Sequence, residues 1–148
     1  LGYKDHLLKV KVIPDGLPAE KKQEIMKEIL FKLDEYARNK ELSHNLFSYL
    51  EDCYNVLVET YTIGCVEITV QCPTLYSLQR LWIDTLSSNL DKVVEKYLVT
   101  NTIKTKLGVD TVKFKVTIKE EDYLACKMSL LQHSGKFFHI FVLALYHL

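Results

Sequence analysis

The sequence predicts an α+β fold: a two-layer sandwich in which a four-stranded antiparallel sheet carries helices on one face, in the ferredoxin-like βαββαβ order. Three observations predict it. Four short segments alternate apolar and polar residues with a period of two, marking strands buried on one face only. Between and after them lie stretches with apolar residues three and four apart, the stripe of an amphipathic helix. The two patterns follow one another as strand, helix, hairpin, helices, strand, helix. Right-handed crossovers in two split βαβ units then make strands four and one neighbours.

The first strand is His6–Ile13, with Leu8, Val10 and Val12 on one face and Lys9 and Lys11 on the other. Pro14-Asp15-Gly16 is a turn cluster that ends it. Pro18 suits the first turn of a helix reaching to about Asn39, with Ile25, Met26, Ile29, Leu30, Leu33 and Ala37 as its stripe. The pattern over Glu41–Asp52 is weak, with a short helix around His44–Leu50. Tyr54–Tyr61 is β-branched and aromatic and reads as the second strand. Thr62-Ile63-Gly64 turns it into the third, with Gly64 at the position that needs positive φ.

In the third strand Val66, Ile68, Val70 and Cys72 alternate with Cys65, Glu67, Thr69 and Gln71, and Pro73 stops it. Thr74 then caps a helix with Leu75, Leu78, Leu81, Trp82 and Leu86 on its apolar side. Ser88-x-x-Asp91 reads as a carboxylate variant of a capping box, opening a helix with Val93, Val94, Tyr97 and Leu98. A helical turn over Thr100–Gly108 stops at its glycine. Thr111–Lys119 alternates most cleanly, with Val112, Phe114, Val116 and Ile118 against Lys113, Lys115, Thr117 and Lys119. Glu120, Glu121 and Asp122 favour a helix N-terminus, and Leu124, Met128 and Leu131 give that helix its apolar side.

These elements fill 1–132, one domain large enough to bury roughly 70% of the surface its unfolded form exposes. Residues 133–148 break the pattern, because Phe137–Leu148 is almost wholly apolar and too short to span a bilayer. Three readings of this tail stay open: a last element on the core, a truncated membrane segment, or a disordered or non-native end from readthrough of a splice site. The start at Leu1 predicts a piece of something longer.

Lysine and arginine balance aspartate and glutamate at 19 each, so no global charge attracts nucleic acid or an anionic membrane. The four cysteines form no CxxC pair, and no secretory signal opens the chain, which predicts reduced thiols and a cytoplasmic location. No phosphate loop, HExxH, GxSxG or metal-spaced acidic cluster occurs, so neither enzyme, cofactor nor metal is expected. Cys126 and His133 lie about 10 Å apart along one helix, too far to act as nucleophile and base. Cys126 and Trp82 both read as core residues.

The remaining chemistry is on the open sheet face. With strands one and four adjacent, Lys9, Lys11, Lys113, Lys115 and Lys119 share it, partly neutralised by Glu67 and Glu59. A solvated face is one reading of this stripe. A docking surface for an acidic protein, formed by Lys9, Lys11, Glu67, Lys113 and Lys115, is the other. RNA-binding modules of this topology stack bases on outward aromatics, and the outward positions here are Lys, Glu, Thr and Gln.

The strand GCVEITVQC, the following LxxLxRLW helix, the segment NLDKVVEKYLV, and VKFKVTI running into EEDYLACK carry a family resemblance. Over residues 7–131 the chain resembles the TRADD-like N-terminal domains, known from the TNF-receptor-associated death-domain adaptor and from innate-immunity proteins. The resemblance implies an α–β sandwich that is a non-catalytic adaptor or scaffold in innate-immune or death signalling. It also implies a protein partner of TRAF type on the open sheet face. In the family that face presents aromatic and apolar residues of the first strands, where this chain has Lys9 and Lys11. A nucleic-acid-binding module using the lysine stripe is the alternative.

Overall fold

β1 (Leu7–Asp15) is the strand on which the sheet is built, paired on one side with β3 (Val66–Gln71) and on the other with β4 (Lys113–Thr117). β2 (Leu57–Thr62) pairs with the far side of β3, giving the order β2-β3-β1-β4 with every neighbour antiparallel. The computed structural model describes residues 6–39, 44–62, 66–133 and 143–146. The fold is α+β around an open four-stranded antiparallel sheet, and strands four and one are neighbours, as the right-handed crossovers predict.

One face of the sheet is buried. Leu8, Val10, Val12, Val66, Ile68, Val70, Phe114 and Val116 are all at most 3% exposed, so the period-two pattern assigns the strand faces correctly. α1 (Ala19–Arg38) packs on β1 and β3 through Ile25, Ile29 and Leu33, and α6 (Glu120–His133) packs on β1. α3 (Leu75–Leu86) contributes Leu78 and Leu81, and α4 (Asn89–Leu98) contributes Leu90, Val94 and Leu98. Full burial of an aliphatic side chain is worth about 1.5–3 kcal/mol, so this shared core dominates the stability.

Thr74 caps α3 as expected, accepting from the Ser77 N–H at 3.1 Å. α5 (Asn101–Leu107) is capped by Thr100 and ends at Gly108, whose φ of 65° is left-handed.

Several expectations need correction. Pro14 does not end β1 but lies inside it, opposite Phe114. The Phe114 N–H points away from β1, and pairing of β1 with β3 stops at Val12, so neither neighbour needs a proline N–H. The second strand begins at Leu57 rather than Tyr54, because α2 (Leu46–Tyr54) runs on to bury Leu46, Leu50 and Tyr54. Asn55, at φ 54°, then ends it in the left-handed conformation that asparagine tolerates. α2 starts with a reciprocal Asn45–Ser48 capping box, while the box expected at Ser88-x-x-Asp91 does not form. On α6 the buried residues are Tyr123, Cys126, Leu130 and Leu131, whereas Leu124 and Met128 are exposed. Leu86 at the end of α3 is also exposed, and Trp82 is only half-buried, stacked flat on Tyr123 at 4.4 Å.

The turn at Gly64 and most of the tail lie outside the described residues; residues 143–146 form an exposed helical turn.

Candidate partner-binding surfaces

The open sheet face is assembled by alternation. Where Val10, Val12, Phe114 and Val116 point inward, Lys9, Lys11, Lys113 and Lys115 must point outward, and Glu67 does so on β3. All five residues named from the sequence therefore share one face. The register decides how they interact. Lys11 stands opposite Glu67 on one side and Thr117 on the other, Ile13 opposite Lys115, and Asp15 opposite Lys113. No two of these lysines are paired across strands, so the mutual repulsion expected of the stripe is largely dispersed.

Two ion pairs disperse it further. Lys9 Nζ lies 4.0 Å from Glu67, and Lys115 Nζ lies 3.9 Å from Asp91 at the start of α4. Both lysines are about half or more exposed, so each pair is worth only ~0.2–1 kcal/mol. Glu59 takes no part, because it occupies the bulge of β2 between Val58 and Thr60. Near the middle of the face, Lys9, Lys11, Lys119, Glu67 and Asp122 surround a depression of ≈ 360 Å³ floored by Ile13 and Thr117. Three cations and two anions leave it cationic. Among the described strands no aromatic side chain points outward on this face.

The sheet edges are closed differently. On β4, the outward N–H groups of Val116 and Phe114 donate to Asp91 at 2.8 Å and Glu95 at 3.2 Å, both on α4. These carboxylates stand where a neighbouring strand's carbonyls would stand. Asp91 had a sequence signal, a carboxylate in a first turn, but its use is on the sheet and not at the helix cap.

On β2, the Val58 N–H donates to Glu51 of α2 at 3.1 Å. Beside that bond, α2, the end of α1 and β2 enclose a cavity of ≈ 440 Å³, walled by Tyr36, Phe47 and Tyr61, with Glu51 and Glu59 at its polar side. Phe47 sits edge-on to Tyr36 at 5.8 Å and tilted to Tyr61 at 6.0 Å. Tyr61 is tethered by its hydroxyl, which donates to Asp34 of α1 at 2.8 Å. Hydrogen bonds from Arg38 and from Tyr61 hold the Asp34 carboxyl below its ordinary range. No local pattern marks this cavity, because its residues come from three elements and the α2 pattern is weak.

Two buried features belong to the scaffold. The Tyr54 hydroxyl donates to Asp84 at 2.5 Å, and burial together with this bond pushes the phenol well above its usual range. The Cys72 and Cys126 thiols are buried and in contact; the hydrogen bond to Cys126 and burial both raise Cys72, keeping it protonated and inert. Cys126 is thus the core residue its sequence context predicts. Among the described residues no cluster of three or more His, Cys, Asp or Glu side chains is placed to hold a metal ion. Nor, among them, is any helix long and apolar enough to cross a membrane.

Comparison with family models, with curated proteins and with solved structures gives no match to the chain.

Proposed function

We propose that this domain is a non-catalytic protein-interaction module, an adaptor or scaffold that docks an acidic protein segment on its open sheet face. The observation that carries the reading is the face that the described elements leave uncovered, where Lys9, Lys11 and Lys119 converge on a cationic depression. Paired lysines of this kind set association rate and specificity more than affinity, because an incoming carboxylate competes with Glu67 and Asp91. The strand order β2-β3-β1-β4 supports reading the topology as ferredoxin-like and two-layered. The sequence resemblance to TRADD-like N-terminal domains supports placing the module in innate-immune or death signalling in the cytoplasm, with a TRAF-type partner. Free thiols at Cys53, Cys72 and Cys126 fit such a reducing setting. The absence of outward aromatics on the described strands favours protein over the alternative, nucleic acid.

The test titrates an acidic peptide alternating glutamate and leucine, and separately a single-stranded RNA, against the domain over a salt series. Amide shifts on β1 and β4 with the peptide, and slower association to Lys113→Glu/Lys115→Glu, are expected. RNA binding that weakens steeply with salt turns the reading to nucleic acid. No shift with either ligand leaves the face a solvated surface and ends the proposal.

A further inference from the structure

We propose a second binding site, independent of the sheet face: the edge of β2 and the cavity beside it accept an extended basic peptide as a fifth strand. Among the described strands β2 is terminal, paired only with β3. Its register with β3 leaves the main-chain groups of Val58 and Tyr61 on the outer side. At Val58 the N–H is already held by an acceptor that is not a strand, the Glu51 carboxylate at 3.1 Å. An incoming carbonyl can take that place at little cost, because one hydrogen bond replaces another. Addition of a strand to an exposed sheet edge is a general mode of peptide recognition, in which main-chain bonds give affinity and pockets for alternate side chains give specificity.

The pocket is present. The ≈ 440 Å³ cavity lies directly against β2, with Tyr36, Phe47 and Tyr61 as an aromatic wall. That is enough to take one or two apolar side chains of the added strand. The charge chooses the occupant. Glu51 and Glu59 both line the cavity, and among the described residues no lysine or arginine lines it. Once displaced from Val58, Glu51 is an uncompensated carboxylate beside the new strand, and a lysine or arginine there satisfies it. Self-pairing of two β2 edges is disfavoured by the same charges, since it brings Glu51 and Glu59 of one copy against those of the other.

The experiment uses the whole chain and a synthetic peptide alternating valine and lysine. Binding is followed by amide chemical shifts and by hydrogen exchange. The expected result is saturable binding with new protection at the Val58 and Tyr61 amides. A peptide alternating valine and glutamate should bind at least tenfold more weakly. The valine–lysine peptide N-methylated at alternate residues should lose binding, since its side chains are kept and its strand bonds are not. Glu51→Gln/Glu59→Gln should weaken binding by about fivefold, the loss of two partly exposed ion pairs, while glutamine at 51 keeps an acceptor for Val58. Equal binding of the two charge types overturns the proposal, and so does indifference to N-methylation. Shifts confined to β1 and β4, or concentration-dependent dimerisation through β2 without peptide, overturn it as well. The acidic-peptide titration is a separate measurement, so each site can fail alone.

Discussion

The two edges of the sheet are built from the same backbone and meet opposite conditions. Along β4, two carboxylates one helical turn apart on α4, Asp91 and Glu95, receive the alternate outward N–H groups of Val116 and Phe114. Asp91 also lies 3.9 Å from Lys115, so the carboxylate that seals the edge has a cation beside it. Along β2, one carboxylate, Glu51, receives one N–H; the strand is bulged at Glu59, and a cavity replaces the packed helix. An unpaired strand edge is a template for any other strand, and charged side chains and bulges are the usual means of blunting it. Here the i, i+4 spacing of α4 turns a blunted edge into a sealed one, whereas α2 offers a single acceptor. Edge protection is thus a matter of helix register against strand register: 91 and 95 step along the helix by about 6 Å, close to the two-residue step of about 6.8 Å between 114 and 116.

Removing the seal on β4 is expected to cost the most. Asp91→Ala/Glu95→Ala strips two charge-assisted acceptors from half-buried N–H groups, and hydrogen bonds to charged groups contribute about 1.5–3 kcal/mol each. A fall of about 3–6 kcal/mol in urea-measured stability is expected, with concentration-dependent association as the bare edge finds a partner. Asp91→Asn/Glu95→Gln keeps oxygen acceptors and should lose much less. If the alanine variant melts like wild type and stays monomeric, the carboxylates are incidental and the edge is protected in some other way.

The matching change on the other edge is expected to be smaller. Glu51→Ala removes one acceptor at a strand that is already bulged and beside an accessible cavity, where water can replace the lost carboxylate. A loss of about 1 kcal/mol or less in denaturant unfolding is expected. Hydrogen exchange at Val58 should accelerate while exchange at Val116 does not. An effect as large as that of the α4 double variant would show that β2 is sealed as firmly as β4, and the contrast between them would vanish.

What the sequence disclosed follows the same line. Strand faces were legible because period-two alternation is local: Val66, Ile68 and Val70, or Phe114 and Val116, need no knowledge of partners to be placed inside. The outward positions of Lys9, Lys11, Glu67, Lys113 and Lys115 followed from the same pattern. Their pairing did not, because it depends on register between strands, which puts Thr117 rather than a lysine opposite Lys11. Asp91 illustrates the other limit. In the sequence it is a carboxylate in a first helical turn, and only the packing of α4 against β4 gives it a donor at Val116. Part of the α6 stripe failed for a related reason: Leu124 and Met128 outweighed Tyr123 in the apolar pattern, while Leu131 is buried as expected. Yet stacking on Trp82 and contact with Cys72 turn the tyrosine and cysteine inward. Nothing local marks the β2 cavity at all.

The tether that holds β2 to α1 is expected to matter least to stability. The Tyr61 hydroxyl donates to Asp34, which also accepts from Arg38, and both bonds favour the ionised carboxylate. A folded-state pKa below the ordinary value means that the unfolded chain binds a proton first as pH falls. The contribution of Asp34 is therefore complete above the unfolded carboxyl range near 4, and is lost as pH falls through the depressed folded value. Tyr61→Phe removes one of the two donors and leaves Arg38. The Asp34 carboxyl, followed by its NMR titration, should move part of the way back towards its ordinary range, and no further, because Arg38 supplies the larger share. Global stability should barely change, since the carboxylate is solvent-exposed. Exchange at the Tyr61 amide should rise while the amides of Phe114 and Val116 stay as protected as before. If the Asp34 titration is unmoved in Tyr61→Phe, the phenol does not tether β2 to α1, and the position of that edge rests on the Glu51–Val58 bond and the pairing with β3.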